Sequence, residues 1–398
     1  MENVKEKIQL PNFEDHSIAF KSKSNKELNK TKWLFRLLNI QWLNKLSTKL
    51  GSLAIALRLP IGFIIKATIF EQFIGGENLK DCKKTVSKLA AYNIKSSLDF
   101  SVEGKKREAD FKRTYKETLK IIDYAKNDNN ISFASLKITG LGNIEYLISF
   151  NEGKKLNRIE KHQLYKVKHR LDRICAMASQ YNFNIFIDAE ESWFQDGIDE
   201  LATQMMAKYN KKRANIFNTI QLYRHDRLDY LKDAHSKAKE EGYLLGLKLV
   251  RGAYMEKENK RCQDMGIPFV INLTKQDTDQ DYNNAIKYCL ENINDISFCA
   301  ATHNIESTKL VTEIMQNIGL QNNHKHICFS QLYGMSDNLS YNLAFHNYNV
   351  SKYVPYGPIK DVIPYLIRRA KENSAIAGQM SRELFMIEKE CDQRSIKN

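Results

Sequence analysis

The sequence predicts an α/β fold: a (βα)8 barrel of the TIM type carrying an N-terminal helical arm. Three observations predict it. From about residue 93 onward, short apolar runs alternate with longer polar segments of helical periodicity. Eight such runs fit into roughly 300 residues, the size of a closed barrel. Several runs are apolar at nearly every position, as strands covered on both faces are. An open, doubly wound sheet is the alternative that alternation alone permits.

The arm, residues 1–92, holds two amphipathic candidates, Leu28–Leu50 and Glu71–Tyr92, the latter opening after Gly75-Gly76. Between them lies the most apolar stretch, Ser52–Phe70. Arg58, Pro60 and Lys66 within it argue against a membrane span. It is read as a packed helix, with a helix lying on a membrane surface as the alternative. The barrel, residues 93–398, opens with the runs Ser96–Val102, Ile131–Leu141, Phe183–Glu190 and Ile216–Tyr223. Tyr243–Tyr254, Ile296–Asn304, Ile327–Met335 and Lys352–Gly357 follow. Helices are expected over Lys105–Lys126, Leu156–Tyr181, Trp193–Tyr209, Arg227–Glu241, Asp279–Asn292, Glu306–Ile318 and Ile359–Glu372. The connection around Asp337–Phe345 has the weakest pattern.

Seven cysteines without a CxxC pair exclude a disulfide framework and a zinc site, and point to a reducing compartment. The net charge of +14 is compatible with nucleic acid, an anionic membrane, an anionic ligand or a solvated lysine-rich surface. The excess is partly local: residues 1–50 carry nine Lys and one Arg against five acids. Met1–Lys30 is polar throughout, unlike a secretory signal, and it lacks the Arg- and Ser-rich, acid-poor character of a transit peptide. A cytoplasmic location is therefore expected, with peripheral contact at the inner face of the membrane as an option.

In such barrels the chemistry sits where strands end. The second run carries Lys137, the third Asp188-Ala189-Glu190, the fourth Gln221 and the fifth Lys248 with Arg251-Gly252-Ala253-Tyr254. The sixth ends in Thr302-His303-Asn304, the seventh in Gln331-Leu332-Tyr333-Gly334, and the eighth gives Tyr353. Neither GxGxxG nor a P-loop is present, so a phosphate-bearing cofactor needs cations and backbone N–H groups from other loops. Arg251-Gly252-Ala253 fits that need, and Lys275 and His303 add positive potential. Arg368 and Arg369 project about 100° apart on a helix, which turns one of them inward; an inward guanidinium suits a carboxylate. A solvated, basic helix end is the plainer alternative.

Several of these motifs, in order and in register, resemble the proline dehydrogenase family. They are FIDAEE (Phe186–Glu191), QLYRHDRLDYL (Gln221–Leu231), LKLVRGAY (Leu247–Tyr254), ATHN (Ala301–Asn304), LYGM (Leu332–Met335) and YVPYGPIKDVIPYLIRRAKE (Tyr353–Glu372). The stretch 70–102 is similar to the monofunctional, eukaryotic-type branch, and the resemblance covers roughly residues 70–375. It implies a distorted (βα)8 barrel, FAD as cofactor, L-proline as substrate, 1-pyrroline-5-carboxylate as product and a membrane quinone as electron acceptor. It places Arg368, Arg369 and Lys137 on the substrate carboxylate, and Tyr353, Tyr365 and Leu332 around the pyrrolidine ring. Asp188 and Lys248 match active-site positions, with Lys248 where bacterial members commonly carry arginine. Ile187, Gln221, Val250, Arg251, Gly252, Ala253, Tyr254, Thr302, His303, Asn304 and Glu372 match cofactor-side positions. The family's bacterial arginine–lysine motif is replaced by Asn272-Leu273-Thr274-Lys275, in which Lys275 is the candidate cofactor cation. Nucleic acid is not an expected partner. Hydroxyproline oxidation is the nearest alternative; a colourless, non-catalytic protein binding polyanions through its basic surface is the alternative of another class.

Overall fold

In the computed structural model, which describes residues 10–38, 69–101, 107–366 and 379–396, eight parallel strands close into a barrel in chain order. They are β1 (Ile94–Phe100), β2 (Ile131–Lys137), β3 (Asn184–Asp188), β4 (Ile216–Gln221), β5 (Leu245–Val250), β6 (Ile296–Ala301), β7 (Ile327–Leu332) and β8 (Val350–Tyr356). Closure runs through β1 and β8, in register from Ile94↔Val350 to Phe100↔Tyr356. The open-sheet alternative is thereby excluded. Each apolar run overlaps one strand, but most overshoot its C-terminal end. Apolar residues that follow the strands, such as Ile138, Leu141 and Leu222, stay buried, so hydropathy does not fall where pairing stops.

The crossover helices fall close to the expected segments: Glu108–Ala125, Arg158–Gln180, Ser192–Tyr209, Arg227–Glu241, Lys275–Glu291, Ile305–Asn317 and Asp337–Phe345. The helix expected from Asp279 begins four residues earlier. Thr274 caps it in a reciprocal box with Asp277, which fixes its start and puts Lys275 in the first turn. Two further helices have too little apolar periodicity to be read from sequence, Glu145–Asn151 and Met255–Met265. The second ends at Gly266, whose φ of 62° lets the chain turn into the next segment. Glu71–Tyr92 is not one helix. A single turn at Glu71–Phe73 precedes the Gly pair, and the helix Leu79–Ala90 starts after the Asn78 cap. Gly75 lies so close to β8 that a Cβ there would stand 2.3 Å from Val354.

Of the expected Leu28–Leu50 helix, Asn25–Leu38 is described, started by Ser24 and Glu27 bonding each other's backbone N–H. Nearly all of Ser52–Phe70, and residues 367–372 of the last expected crossover helix, lie outside the described residues. That helix occupies 359–366 before the description stops. A C-terminal helix, Gln379–Ile396, packs on Asn25–Leu38 and was not expected.

Two apolar layers organise the molecule. The main cluster joins strands to the surrounding helices. A second cluster contains Phe20, Leu28 and Phe35 from the arm, Met386 and Ile387 from the C-terminal helix, and Met335, Val362 and Tyr365 from beyond β7 and β8. The two terminal helices therefore cover part of the mouth. Beneath the strand ends the interior is filled by rings: Phe133 and Phe186 stack at 4.0 Å, with Phe217 edge-on to both. Among the described residues, no helix is long and apolar enough to cross a membrane.

Candidate active site

Strand alternation decides which side chains enter the barrel. Phe186 belongs to the interior ring cluster, so Asp188, two residues on, points the same way at the end of β3. Lys137 ends β2 directly opposite Asp188 in the ladder. Lys248 on β5 reaches the same carboxylate, and Tyr353 arrives from β8. The four meet tightly. Lys248 Nζ donates to Asp188 Oδ1 at 2.8 Å, and the Tyr353 hydroxyl donates to Oδ2 at 3.1 Å. Lys137 Nζ lies 3.8 Å from Oδ2. The Lys248 ammonium also lies over the faces of Phe186 and Tyr353, at 5.0 and 4.8 Å from their centroids.

Burial pushes the Asp188 carboxyl up, but the ammonium groups of Lys248 and Lys137 outweigh it and hold the group below its ordinary range. Asp188 is thus an ionised hub between two cations.

The sequence patterns do not single out Asp99, although a charge in the apolar run of β1 was a visible signal. It is 4% exposed, and burial raises its pKa. Its carboxyl bonds the Tyr353 hydroxyl and accepts from Ser101 Oγ. The Tyr353 hydroxyl thus lies between two carboxyls, and the charge of Asp188 adds to the rise at Asp99. Two carboxyls close together are pushed in opposite directions, one toward the charged form and one toward the neutral. Glu190 is a second group the patterns underrated. It is buried, accepts from the backbone N–H and hydroxyl of Thr139, and burial lifts its pKa to about 7 against those bonds.

The cofactor candidates form the other half of the mouth. Gln221 Nε2 donates to the Glu190 carbonyl at 2.8 Å. Arg251 is held at three nitrogens: Nε to Asp279 at 2.6 Å, one terminal nitrogen to Thr302 Oγ1 at 2.6 Å, the other to Ser307 Oγ at 2.9 Å. Its guanidinium lies 4.3 Å from the centroid of Tyr282. Lys275 pairs with the same Asp279 from an exposed first turn, which places it beside Arg251 through a shared carboxylate. Gly252 has φ of 142°, and a Cβ there would meet the Tyr223 ring at 2.4 Å. Val250 and Ala253 are half-buried and Tyr254 is buried. Asn304 caps the helix Ile305–Asn317 and takes its own N–H bond to Thr302 Oγ1. His303 Nδ1 lies 2.8 Å from Ser336 Oγ. Ile187 packs in the main apolar cluster, on the face of β3 opposite Asp188.

On the substrate side, Leu332 is half-buried and packs with Tyr365, which is 4% exposed, in the cluster beneath the terminal helices. Arg368, Arg369 and Glu372 lie outside the described residues. Of the sequence candidates, then, Lys137, Asp188, Lys248 and Tyr353 are brought into one constellation, and Arg251, Thr302 and Lys275 into a second.

The family model described as "Proline dehydrogenase" matches residues 82–382. The chain belongs to the proline dehydrogenase family. It is 32% identical over 429 residues to proline dehydrogenase 1, mitochondrial, of Dictyostelium discoideum, covering 96% of this chain and 74% of that one. It is equally 32% identical, over 324 residues, to the carbapenem antibiotics biosynthesis protein CarD of Pectobacterium carotovorum, covering 81% of this chain and 84% of the relative. Among solved structures, the fold matches proline utilization A of Bdellovibrio bacteriovorus with a TM-score of 0.70 at 20% identity. That match covers 90% of this chain, which spans 38% of the longer protein. Within the proline dehydrogenase fold, the charged constellation described above occupies the strand ends.

Proposed function

We propose that this chain binds FAD at the barrel mouth, oxidises L-proline to 1-pyrroline-5-carboxylate and passes the electrons to a quinone. One observation carries the reading beyond family membership: two ammonium groups, Lys137 and Lys248, share one buried, ionised carboxylate at the ends of three strands. A dry site with that balance favours an anionic occupant.

The residues fit the cofactor. The Thr219 hydroxyl is buried without a hydrogen-bond partner, on the interior face of β4 and directly across the ladder from Lys248. It marks a polar vacancy for a group with hydrogen-bonding edges, such as an isoalloxazine. Arg251, aligned by Asp279, Thr302 and Ser307, keeps N–H donors for a pyrophosphate, since only part of its five-donor fork is used. Gln221, Gly252 and His303 border the same region.

When bound, FAD supplies the electron sink that receives a hydride from C5 of proline. This chain's residues do the rest. Lys137, with Arg368 and Arg369 as the family resemblance places them, holds the substrate carboxylate. The same positive field favours the neutral amine, which is the form that can be oxidised. Tyr353 offers a ring face, fixed by its hydroxyl between Asp188 and Asp99, and Leu332 and Tyr365 wall the pyrrolidine ring. Lys248, aimed by Asp188, stabilises negative charge on the electron-accepting edge. Asp188 acts as the organiser of this array. A lysine-rich N-terminus and the net charge of +14 support a cytoplasmic protein that touches the anionic inner face of a membrane, where a quinone is met.

The decisive experiment is an absorption spectrum of the purified protein followed by anaerobic addition of L-proline. A yellow protein that bleaches is expected. A colourless protein, or a yellow one indifferent to proline, would overturn the reading.

A further inference from the structure

We propose that Gln195, on the helix Ser192–Tyr209, is a positioning residue that acts through the backbone of Glu190 to orient the Gln221 amide toward the cofactor. The proposal rests on the reading above that FAD lies beside Gln221.

Glu190 leaves β3 two residues after Asp188 and is held on three sides. Its backbone N–H donates to Gln195 Oε1 at 2.8 Å, and its carbonyl accepts from Gln221 Nε2 at 2.8 Å. Its carboxyl accepts from the N–H and hydroxyl of Thr139, just beyond β2. Both amides have one possible sense, because an oxygen must face the N–H and a nitrogen must face the carbonyl. Gln221 therefore turns its nitrogen to Glu190. Its oxygen, bonded to none of the described residues, is left as an acceptor for a ligand. Gln221 enters the interior on the same face of β4 as Thr219, whose buried hydroxyl has no partner.

Gln195 is oriented in turn by a buried charge network. Its Nε2 donates to Asp199 Oδ1, one helical turn on, at 2.8 Å. Asp199 also accepts from Asn218 Nδ2 on β4 at 2.8 Å, and from Arg227 on the following helix at 2.7 Å. Burial raises the Asp199 carboxyl, but its hydrogen-bond partners all donate, so both of its oxygens accept. Turning the Gln195 amide over would set two acceptors face to face and leave the Glu190 N–H buried without a partner. Gln195, Asp199, Asn218 and Arg227 are each 6% exposed or less, which leaves little room for water to replace a member. The helix start is anchored as well: Ser192 gives its N–H and its hydroxyl to the buried Glu258 carboxyl, at 2.7 and 2.6 Å.

The direction of the Glu190 carbonyl follows from this bracing, and the Gln221 amide follows the carbonyl. Without Gln195, the segment between β3 and the helix has to shift to satisfy the freed N–H, and Gln221 loses its fixed partner.

A merely structural role for Gln195 would lower stability and leave Gln221 as it is. The test therefore reads Gln221, by nitrogen–proton correlation on the full chain labelled at glutamine side-chain nitrogens, with its signal assigned by loss in Gln221→Met. In the unaltered protein its bonded amide proton should exchange slowly with solvent. Gln195→Met should speed that exchange about tenfold, the usual effect of losing one hydrogen bond. Gln195→Glu places two carboxyls side by side, so one keeps its proton; donor and acceptor both survive, and slow exchange should persist. The FAD dissociation constant should rise about tenfold in Gln195→Met, and the double variant with Gln221→Met should bind no more weakly than Gln221→Met alone. Unchanged exchange in Gln195→Met, fast exchange in Gln195→Glu, or a further loss of FAD affinity in the double variant overturns the proposal. A colourless protein would instead defeat the FAD reading, and the exchange measurement is readable without the cofactor.

Discussion

Lys248 shows how a single side chain is prepared for its work. Its ammonium is buried, clasped by Asp188 and sandwiched against two aromatic faces. Removing the charge while keeping the length, as in Lys248→Met, should leave FAD bound through the Arg251 half of the mouth. The rate of flavin reduction by proline should fall about 10²–10³-fold, the usual loss when a preorganised electrostatic partner is removed. Stopped-flow absorbance under anaerobic conditions measures it, and an unaltered rate would remove Lys248 from the mechanism. Tyr353→Phe is milder. It keeps the ring but takes a hydroxyl donor from Asp188 and the hydroxyl contact from Asp99. A loss of about 1 kcal/mol is expected, seen as a rise in KM of up to about tenfold. A hundredfold loss in kcat with KM constant would mean that the hydroxyl takes part in the chemical step.

Among the elements, strands were the most legible. All eight announce themselves because both faces of a barrel strand are covered, and hydropathy records coverage. Their ends were not legible, since the loops after them keep fully buried apolar residues such as Ile138 and Leu141. The helix Met255–Met265 escaped for the opposite reason: it is polar on most sides and buries only Glu258 and Cys262. The site divides in the same way. Lys137, Asp188, Lys248 and Tyr353 stand at strand ends, where topology tells one to look. Asp99 shares that layer but lies inside the first run, for which no end residue is singled out. Gln195 was invisible, because the network that orients it, Asp199 with Asn218 and Arg227, is met only through packing. At the β5 loop the backbone itself makes a prediction. Gly252→Ala places a methyl 2.4 Å from the Tyr223 ring at a φ that L residues avoid. A destabilisation of about 1–3 kcal/mol is expected, with weaker FAD binding, because Arg251 is displaced with the loop. An unchanged melting temperature together with unchanged FAD affinity would contradict this account of the loop.

For the molecule as a whole, buried acids set the response to pH. Glu190 and Glu383 lie near 7 in the fold against an ordinary 4.5. Each favours the folded state fully below 4.5 and loses that contribution as pH rises through about 7. The shift corresponds to about 3 kcal/mol per group. Asp188 and Asp337 act in the reverse sense, since their lowered values cost stability only as the solution becomes strongly acid. The free energy of unfolding should therefore fall between about pH 5 and about pH 8, and Glu190→Gln should flatten the slope by up to about 3 kcal/mol. Urea titrations at the two pH values measure it; an equal slope in the variant would show that Glu190 titrates normally in the fold.

The layer of phenylalanine rings directly beneath Lys248 has a kinetic consequence. Phe133, Phe186 and Phe217 fill the interior there, so a visitor to the charged strand ends arrives from the mouth. On the proposed chemistry, the amino acid, its cyclic imine and the electron acceptor share that approach and compete for it. Turnover then becomes a matter of vacating before admitting: an excess of either visitor should obstruct the other.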